Sequence, residues 1–446
     1  MGPTEIATNF IVATGHEQIP RDAVDLAKRS ILDGLGCMLA GTKEAAGRIV
    51  TQYVKEMGGN PEASVIGGGF KTPTPQAALA NGTMGHALDY DDVAVHWLGH
   101  PTVVLLPAVL AIGEREKLPG RECLTGYIVG FEVAAKLGTA IGMGHYAWGW
   151  HATATLGTMG AAAAVAKLLR LDAHQTKMAL GIAASLAGGT RQNFGTMTKP
   201  FHAGSASRNG TVAGLLAKRG FTADEAILES PLGFLRLFSG GADYDIAKAT
   251  EGLGTSFDIL SPGVSMKPYP CCYLTHRCID AILYLVKEYD IKADDVELVE
   301  CKTSPFLPQV LIHSHPRAAL EGKFSMQYCM AIALLDGQVD LNQFTDEKVL
   351  DTKAQELLKR VRFVHHEAAS FNEAVTVRLK DGRELCHEVA NPKGDPQNPM
   401  TDEELAAKYR DCAGIVLSPR ETQKSLDMIS HLEDLEDIGE LMDLLR

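Results

Sequence analysis

The stretch GTMGAAAAVAKLL, residues 157–169, is apolar around almost its whole circumference when it is drawn as a helix. Such a helix fits inside a large helical domain, because it has no polar face to present to water. The stretches HPTVVLLPAVLAIGE, residues 100–114, and GYIVGFEVAAKLG, residues 126–138, have the same character. Their many alanine and glycine residues permit close contacts between helices. These stretches predict a mainly α-helical fold.

Residues 137–166 contain no Asp, Glu, Lys or Arg, so a membrane segment has to be considered. The same residues include six glycines, two histidines and two tryptophans. A spanning helix needs about 20 predominantly apolar residues. We therefore predict that this segment is buried protein interior and that the chain does not bind a membrane.

The spacing of apolar and polar residues changes along the chain. A helix is predicted from Pro20 to Gly36 or Gly41, and helical patterns dominate the first 250 residues. After about Gly263, the stretches DVELVECKT and AVTVRLKDGRELCHEVA alternate apolar and polar residues, and Asp381-Gly382 marks a hairpin. The loop ANPKGDPQNPM and a capping box of Thr401 and Glu404 then start a further helix. The sequence therefore predicts a helical segment, then an α+β segment, and then a second helical segment.

Composition excludes several classes of function. The chain has 446 residues and a net charge of −13, which argues against a nucleic-acid surface. Its nine cysteines include the neighbours Cys271 and Cys272 but form no CxxC pair. We therefore expect reduced thiols and a cytoplasmic location, without a disulfide framework or a structural zinc site.

Positive charge is concentrated in one region. From Val133 to Ala223 the only acidic residue is Asp172, and the bases are Lys136, Lys167, Arg170, Lys177, Arg191, Lys199, Arg208, Lys218 and Arg219. Such an uneven distribution of charge produces a positive electrostatic potential that can draw an anion into a cleft. We expect six of these bases to lie on solvated helix ends, namely Lys136, Lys167, Arg170, Lys177, Lys218 and Arg219.

Lys199 is a candidate functional residue because its stretch, NFGTMTKPFHAGSASRNG, contains no carboxylate. Pro200 disfavours helix at Lys199, so a loop is predicted there. Lys267 also precedes a proline, at the expected domain boundary where small-molecule sites often form. His151 lies in an uncharged segment close to His145 and Tyr146.

Carboxylates and imidazoles are clustered in NGTMGHALDYDDVAVHWLGHPT, residues 81–102. His96 and His100 are four residues apart, a spacing that suits a metal site. Gly99 and Pro101 flank His100, however, so one continuous helix presenting both imidazoles is not expected. Acid–base work by Asp89 and His100, with another carboxylate orienting an imidazole, is the preferred interpretation.

Six ordered motifs together resemble the MmgE/PrpD family: GHALDYDD with GHPTVVLLPAVLA, GWHATATLGTMGAAAAVAKLLRL, NFGTMTKPFHAGSASRNG, KPYPCCYLTH, FSMQYCMAIALLDG and HLEDLED. The resemblance implies a large all-helical domain of residues 1–262 plus 395–446. It also implies an inserted smaller α+β lid domain of residues 263–394 and a homodimer without metal or organic cofactor.

The family includes 2-methylcitrate dehydratases, cis-aconitate decarboxylases and iminodisuccinate epimerase. Matching motif by motif, the resemblance implies an active site of Asp89, His100, His151, Lys199, Lys267 and Tyr328. Tyr328 is suggested by the resemblance alone. Val93 stands where the decarboxylases have a threonine, which favours the other two activities.

These features predict a lyase that forms a carbanion beside a carboxylate of a di- or tricarboxylic acid. Lys199 and Lys267 would hold carboxylates and stabilise the developing charge. The first expectation is a dehydratase of 2-methylcitrate type, with His151 or Asp89 as base and His100 or Tyr328 as acid. The alternatives are an epimerase that uses Tyr146 or Lys199 as one of two bases, a decarboxylase, and a non-catalytic anion-binding protein.

Overall fold

A computed structural model describes residues 1–365 and 372–446. Helices account for 58% of the residues and strands for 9%, which confirms the predicted mainly helical class. The chain divides into two compact units. Unit 1 comprises Met1–Asn193, Met197–Ser265 and Thr401–Arg446, and unit 2 comprises Phe194–Thr196 and Met266–Met400.

The first part of unit 1 is built from eleven helices among the described residues. They are α1 (Pro3–Ala13), α2 (Arg21–Gly41), α3 (Ala45–Met57), α4 (Thr74–His86), α5 (Thr102–Glu116), α6 (Gly120–Ile141), α7 (Met143–Ala147), α8 (Ala152–Leu168), α9 (Ala173–Leu186), α10 (Thr198–Ala217) and α11 (Phe234–Phe238). The helix predicted from Pro20 ends at Gly41, as expected.

A small sheet corrects the expectation that this unit is all helical. Strands β1 (Ala63–Val65) and β2 (Phe70–Thr72) pair antiparallel, with Ala63 opposite Thr72. The chain reverses between them through Gly67 and Gly69, both with positive φ. Glycine adopts that conformation without the steric cost that a Cβ atom brings. The sheet was missed because each strand is only three residues long.

Unit 2 combines helices with a four-stranded sheet among its described residues. Its elements are α12 (His276–Tyr289), β3 (Val296–Thr303), α13 (Ala319–Gly322), α14 (Met326–Asp336), α15 (Asp346–Val349), α16 (Thr352–Leu357), β4 (Val361–His365), β5 (Glu373–Leu379) and β6 (Glu384–Val389). The strand order is β4-β3-β5-β6, with β3 and β4 parallel and the other pairs antiparallel. The predicted hairpin around Asp381-Gly382 is confirmed as β5 and β6.

The C-terminal segment returns to unit 1 as α17 (Asp402–Ala413), α18 (Pro419–Ser430) and α19 (Gly439–Leu445). The predicted capping box begins α17, since the Thr401 hydroxyl accepts from the Glu404 amide and the Glu404 carboxylate accepts from the Thr401 amide. Helix α17 packs against α2, so residues from both ends of the sequence share one core.

The core of unit 1 contains the apolar helices with which the sequence analysis began. Helix α8 packs against α6, α10 and α5 and is buried along nearly its whole length. Helix α6 has the length and composition of a membrane span, but 94% of its most apolar window is buried inside the protein. Residues 137–166 are therefore mostly protein interior, as predicted, but the prediction was wrong for five exposed residues around α7: Thr139, Gly142, Met143, Ala147 and Trp148.

Glycines bring α4 and α10 unusually close together. A Cβ atom added to Gly204 would lie 2.2 Å from the carbonyl oxygen of Leu79, a distance that backbone atoms cannot tolerate. Across the same contact, a Cβ on Gly82 would lie 2.8 Å from the Cα of Gly204. This contact places the second turn of α10 beside α4.

Candidate active site

The candidate site lies in unit 1, where the ends of four helices meet. His86 is the last residue of α4, His100 precedes α5, His151 is the N-cap of α8, and Lys199 lies in the first turn of α10. The N-termini of α5, α8 and α10 therefore face this region, and their helix dipoles favour negative charge there. The His100 amide donates to the Thr153 hydroxyl at 3.1 Å, which joins α5 to α8.

Asp91 is shared between two imidazoles. Nδ1 of His86 lies 2.9 Å from both carboxylate oxygens of Asp91, and Nδ1 of His100 lies 3.2 Å from Asp91 Oδ2. All three side chains are largely shielded from water, with the His100 side chain 12% exposed. One buried carboxylate therefore orients two histidines.

The tautomer of His100 follows from its second partner. Nδ1 of His100 also lies 2.9 Å from the backbone carbonyl oxygen of Asp92, and a carbonyl only accepts hydrogen bonds. Nδ1 therefore carries a hydrogen, which leaves Nε2 as the ring nitrogen that can exchange a proton. In His86 the Nδ1–H also points at Asp91, and Nε2 is buried without a hydrogen-bond partner among the described residues.

Burial and charge determine the protonation of this group. Burial lowers the pKa of His86 to about 3, against the opposing effect of Asp91. For Asp91, burial raises the pKa, but the neighbouring His86 and His100 outweigh it and hold that pKa well below its usual value. Asp91 is thus ionised and His86 neutral at physiological pH.

Asp92 differs from its neighbour Asp91. Burial, and then the charge of Asp33, raise the pKa of Asp92 well above its usual value. Its carboxyl oxygens accept from the amide and hydroxyl of Thr102 in the first turn of α5. The Asp92 side chain therefore links the segment between α4 and α5 to the first turn of α5, and the Asp92 backbone carbonyl orients His100.

A second pair of imidazoles extends the cluster. Nδ1 of His151 lies 3.1 Å from Nδ1 of His202, and the His151 ring stacks on that of His86 with ring centroids 5.9 Å apart. Burial, and then the charge of Lys199, lower the pKa of His202 to about 4 and that of His151 well below its usual value. Both rings are neutral, and one donates its Nδ1–H to the other.

Lys199 supplies the positive charge. Its Nζ lies 3.1 Å from Oδ2 of Asp89, and each residue is 4% exposed. The sequence analysis expected only a substrate carboxylate beside Lys199, so the partner Asp89 is a correction. Asp89 has a left-handed backbone with φ of 52°, which aspartate tolerates better than most residues.

Two expectations about the bases were wrong. Lys199 lies in helix α10, because Pro200 occupies the first turn, where the missing N–H has no helical partner to lose. Lys136 is buried rather than solvated, and its Nζ lies 2.8 Å from Asp258 Oδ1. The acid that pairs with it is distant in sequence, so a local charge count could not identify it.

Four residues of this region are close enough together to be considered as metal ligands. Among residues 1–365 and 372–446, His86, Asp89, Asp91 and His100 form a group whose potential ligand atoms lie within 4.8 Å of one another. The imidazole hydrogens of this group point at Asp91, and Lys199 adds an ammonium beside Asp89. Imidazoles that donate Nδ1–H to a carboxylate leave Nε2 for a metal or for a substrate, so they do not decide between the two. The Lys199 ammonium, which already pairs with Asp89, is the feature that opposes a divalent cation here.

His96 does not join His100. Residues Val95–Trp97 form a short 3₁₀ turn that ends at Leu98, which has a left-handed φ of 51°. The two histidines therefore do not share a helix face, as predicted. His96 instead lines a cavity of about 480 Å³ with Lys136, Asp258 and Tyr146.

Each of the remaining three predicted residues is described within its own unit. Tyr146 lies on α7, where the guanidinium of Arg191 stacks 3.9 Å from its ring centre. Lys267 and Tyr328 belong to unit 2, where both are fully buried. The Tyr328 hydroxyl donates to the Gln343 carbonyl within that unit. The catalytic roles of Tyr146, Lys267 and Tyr328 remain predictions.

Three residues of the cluster were not among the predicted catalytic residues: His86, Asp91 and His202. His86 and Asp91 were visible in the sequence as members of the histidine and aspartate cluster. Their five-residue separation crosses the end of α4, so the contact between them had no periodic signal. His202 lies one turn after Lys199, and its partner His151 comes from another helix.

A buried, ionised carboxylate that orients two imidazoles beside an ammonium defines a site for acid–base chemistry on an anion. The comparisons with known proteins agree with this class. The family model for the MmgE/PrpD N-terminal domain matches residues 5–247, and the model for the MmgE/PrpD C-terminal domain matches residues 269–434. The chain belongs to the MmgE/PrpD family.

Relatives in this family are enzymes. The chain is 30% identical to the cis-aconitate decarboxylase of Homo sapiens, over 95% of this chain and 90% of that protein. It is also 30% identical to the cis-aconitate decarboxylase of Aspergillus terreus, over 96% of this chain and 93% of that protein. The mitochondrial 2-methylcitrate dehydratase of Yarrowia lipolytica is 23% identical, over 84% of this chain and 77% of that protein.

Proposed function

We propose that this protein is a lyase that acts on a small di- or tricarboxylic acid through a carbanion beside one of its carboxylates. The observation that carries the proposal is the Asp91–His100 pair next to Lys199. A carbanion beside a carboxylate is difficult to form, because negative charge grows on a group that is already anionic. A preorganised ammonium in a poorly hydrated site opposes that cost directly.

The geometry supports dehydration best. Nδ1–H of His100 is directed at Asp92 and Asp91, so Nε2 is the ring atom that we assign to proton exchange with the substrate. In this mechanism His100 acts first as the base, whereas the sequence analysis assigned it the acid role. Proton removal from the carbon beside a carboxylate gives an enolate and a His100 imidazolium, which the ionised Asp91 stabilises.

The second half of the reaction expels the hydroxyl group. The electron pair of the enolate forms the new carbon–carbon double bond as the carbon–oxygen bond breaks. The departing oxygen takes a proton and leaves as water. The His100 imidazolium can return its proton to that oxygen, so one residue serves as base and then as acid. Lys199 stays paired with negative charge throughout, first on the substrate and then on the enolate.

Decarboxylation is the second candidate, favoured by the higher identity with the two cis-aconitate decarboxylases. That reaction needs no base, since the electron pair comes from the carbon–carboxylate bond as CO₂ leaves. It needs a proton donor at the carbanion, and His100 beside the ionised Asp91 is the imidazole that we assign to this role. The two reactions share the intermediate that Lys199 would stabilise.

Proton NMR of substrates in heavy water distinguishes these reactions. Purified protein is incubated with 2-methylcitrate, citrate, cis-aconitate or iminodisuccinate, with the Lys199→Met variant as a control for contaminating activity. A new alkene signal with loss of the hydroxyl-bearing centre indicates dehydration, and release of CO₂ from cis-aconitate indicates decarboxylation. Deuterium entering otherwise unchanged iminodisuccinate indicates epimerisation. No change in any of these acids would count against the proposed lyase.

We further propose that unit 2 acts as a lid, which closes when substrate binds and excludes water from the site. The loop of residues 391–400 is the last segment of unit 2 before α17 and offers a measurable reporter. Limited proteolysis should cut this loop more slowly with bound substrate. Unchanged cutting, with a ligand shown independently to bind, would count against a closing lid.

A further inference from the structure

The loop that carries the catalytic carboxylates is contacted by a lysine from the C-terminal segment. Lys408 lies on α17, and its Nζ donates to the backbone carbonyl of Tyr90 at 2.7 Å. The same ammonium lies 2.6 Å from Oδ1 of Asp33 on α2 and 3.7 Å from the centre of the Tyr90 ring. All of these residues belong to unit 1.

This ion pair is deeply buried. The side chains of Lys408 and Asp33 are 4% and 0% exposed. A buried ion pair is weak evidence of a stabilising role, because the cost of removing both charges from water offsets their attraction. The directional hydrogen bond to Tyr90 is what links this pair to the site.

Tyr90 is the residue between Asp89 and Asp91. Its carbonyl group lies in the peptide plane that joins it to Asp91, and its φ and ψ set the orientation of that plane relative to the one that joins it to Asp89. Asp89 faces Lys199 and Asp91 faces His86 and His100. A shift of Tyr90 would consequently disturb both halves of the site together.

We propose that Lys408 is a positioning residue, which holds the Asp89–Asp91 loop in register with Lys199 and the two imidazoles. The kinetic part of this inference rests on the proposed function. Through Lys408, the C-terminal segment would position the site without contributing a reacting group to it. A misplacement of about 1 Å caused by a mutation away from the chemistry can cost about a hundredfold in rate.

The test compares Lys408→Met, Lys408→Arg and the double variant Lys408→Met/Asp33→Asn. The double variant removes the charge that the single variant would leave buried and unpaired, so it separates folding from positioning. The matched control is Lys136→Met, which breaks another buried lysine–aspartate pair of unit 1, with Nζ 2.8 Å from Asp258. Circular dichroism and thermal unfolding establish which variants fold.

We expect kcat to fall about a hundredfold in Lys408→Met and in the double variant, with partial recovery in Lys408→Arg. KM should change much less, because Lys408 is not proposed to touch the substrate. The Lys136→Met control should lose stability but keep kcat. Normal kcat in a folded Lys408→Met or double variant, or an equal loss in Lys136→Met, would overturn the proposal.

A second readout does not depend on turnover. In protein labelled with ¹⁵N-histidine, the Nδ1–H signals of His86 and His100 report their hydrogen bonds with Asp91. These signals should be present in the native protein and in Lys136→Met and lost or shifted in the Lys408 variants. Unchanged signals would overturn the positioning role even if no substrate were turned over, so the two proposals fail separately. Loss of folding in every Lys408 variant would assign Lys408 a purely structural role and would also overturn it.

Discussion

Nζ of Lys199 lies 3.1 Å from Oδ2 of Asp89, in a site where every neighbouring imidazole is held neutral or oriented by an aspartate. Lys199 contributes to that neutrality, since its charge lowers the pKa values of His86, His151 and His202 in addition to the effect of burial. Lys199 therefore acts on the protonation of three histidines in the same direction as burial.

Replacing Lys199 with methionine should lower kcat by about a hundredfold or more, the scale observed when one preorganised electrostatic donor is removed. The reason is that Lys199 would stabilise charge that grows only in the transition state. Lys199→Arg should also be impaired, because a planar guanidinium does not fit where a compact ammonium is enclosed. Steady-state kinetics on the substrate found by NMR would measure both effects.

A matched control is Lys218→Met, since that side chain is 43% exposed and pairs only loosely with Glu116 at 3.8 Å. Its effect on stability should stay below about 0.5 kcal/mol, with kcat unchanged. Near-normal turnover by both Lys199 variants would remove Lys199 from the mechanism.

The sequence predicted the secondary-structure elements of the fold better than the contacts between them. The apolar helices α6 and α8, the hairpin of β5 and β6, and the capping box at Thr401 all follow from local periodicity or turn chemistry. Such features depend on residues only a few positions apart, so they can be predicted from the sequence without a structure.

The partners of the buried charges could not be predicted in the same way. Lys199 meets Asp89, Lys136 meets Asp258 and Lys408 meets Asp33 only after distant helices pack together. Local composition instead suggested that Lys199 had no acid nearby and that Lys136 was solvated. The helical state of Lys199 was missed for a local reason, because proline is unfavourable inside a helix but accepted in its first turn.

Asp91→Asn tests whether one carboxylate orients both histidines. Nδ1–H of His86 has its acceptor on Asp91, and Nδ1–H of His100 is shared between Asp91 and the Asp92 carbonyl. An asparagine amide offers one oxygen and one NH₂ group, so its NH₂ would face one of these two N–H donors. At least one imidazole should therefore turn or change its tautomer, and kcat should fall by about a hundredfold or more.

The protein should remain folded in Asp91→Asn, because the side-chain volume is preserved. Asp172→Asn, which changes the N-cap of α9, is the matching control and should leave kcat unchanged. The relevant measurement is kcat against pH for wild type and both variants. A wild-type pH profile in Asp91→Asn would show that the orientation of the imidazoles by Asp91 is not used in turnover.

Chelation tests the alternative use of the same residues. His86, Asp89, Asp91 and His100 lie close enough to hold an ion, but Lys199 already supplies a positive charge there. We expect full activity after exhaustive dialysis against a chelator, with metal content followed by elemental analysis. Activity that is lost on chelation and restored by one specific metal would make these four residues a ligand set.

The pH dependence of stability should report a buried histidine outside the proposed chemistry. His145 is buried, with Nδ1 donating to the Phe238 carbonyl at 2.7 Å and Nε2 2.7 Å from the Thr155 hydroxyl. Burial lowers its pKa to about 4, against a smaller opposing effect of the Phe238 carbonyl. The unfolded value is about 6.5, so between these pH values the unfolded state binds more protons than the folded state.

The free energy of unfolding should therefore fall as pH is lowered through this window, by up to about 1.4 kcal/mol per pH unit for this one group. His145→Gln removes the group, so wild type should lose stability relative to the variant between pH 7 and pH 5. All three tryptophans, Trp97, Trp148 and Trp150, lie in unit 1, so fluorescence-detected urea unfolding follows the unit that contains His145. His174→Gln, at a side chain that is 61% exposed, should give a curve parallel to wild type. If the His145→Gln curve also ran parallel to wild type, the buried imidazole would not be held neutral by the fold.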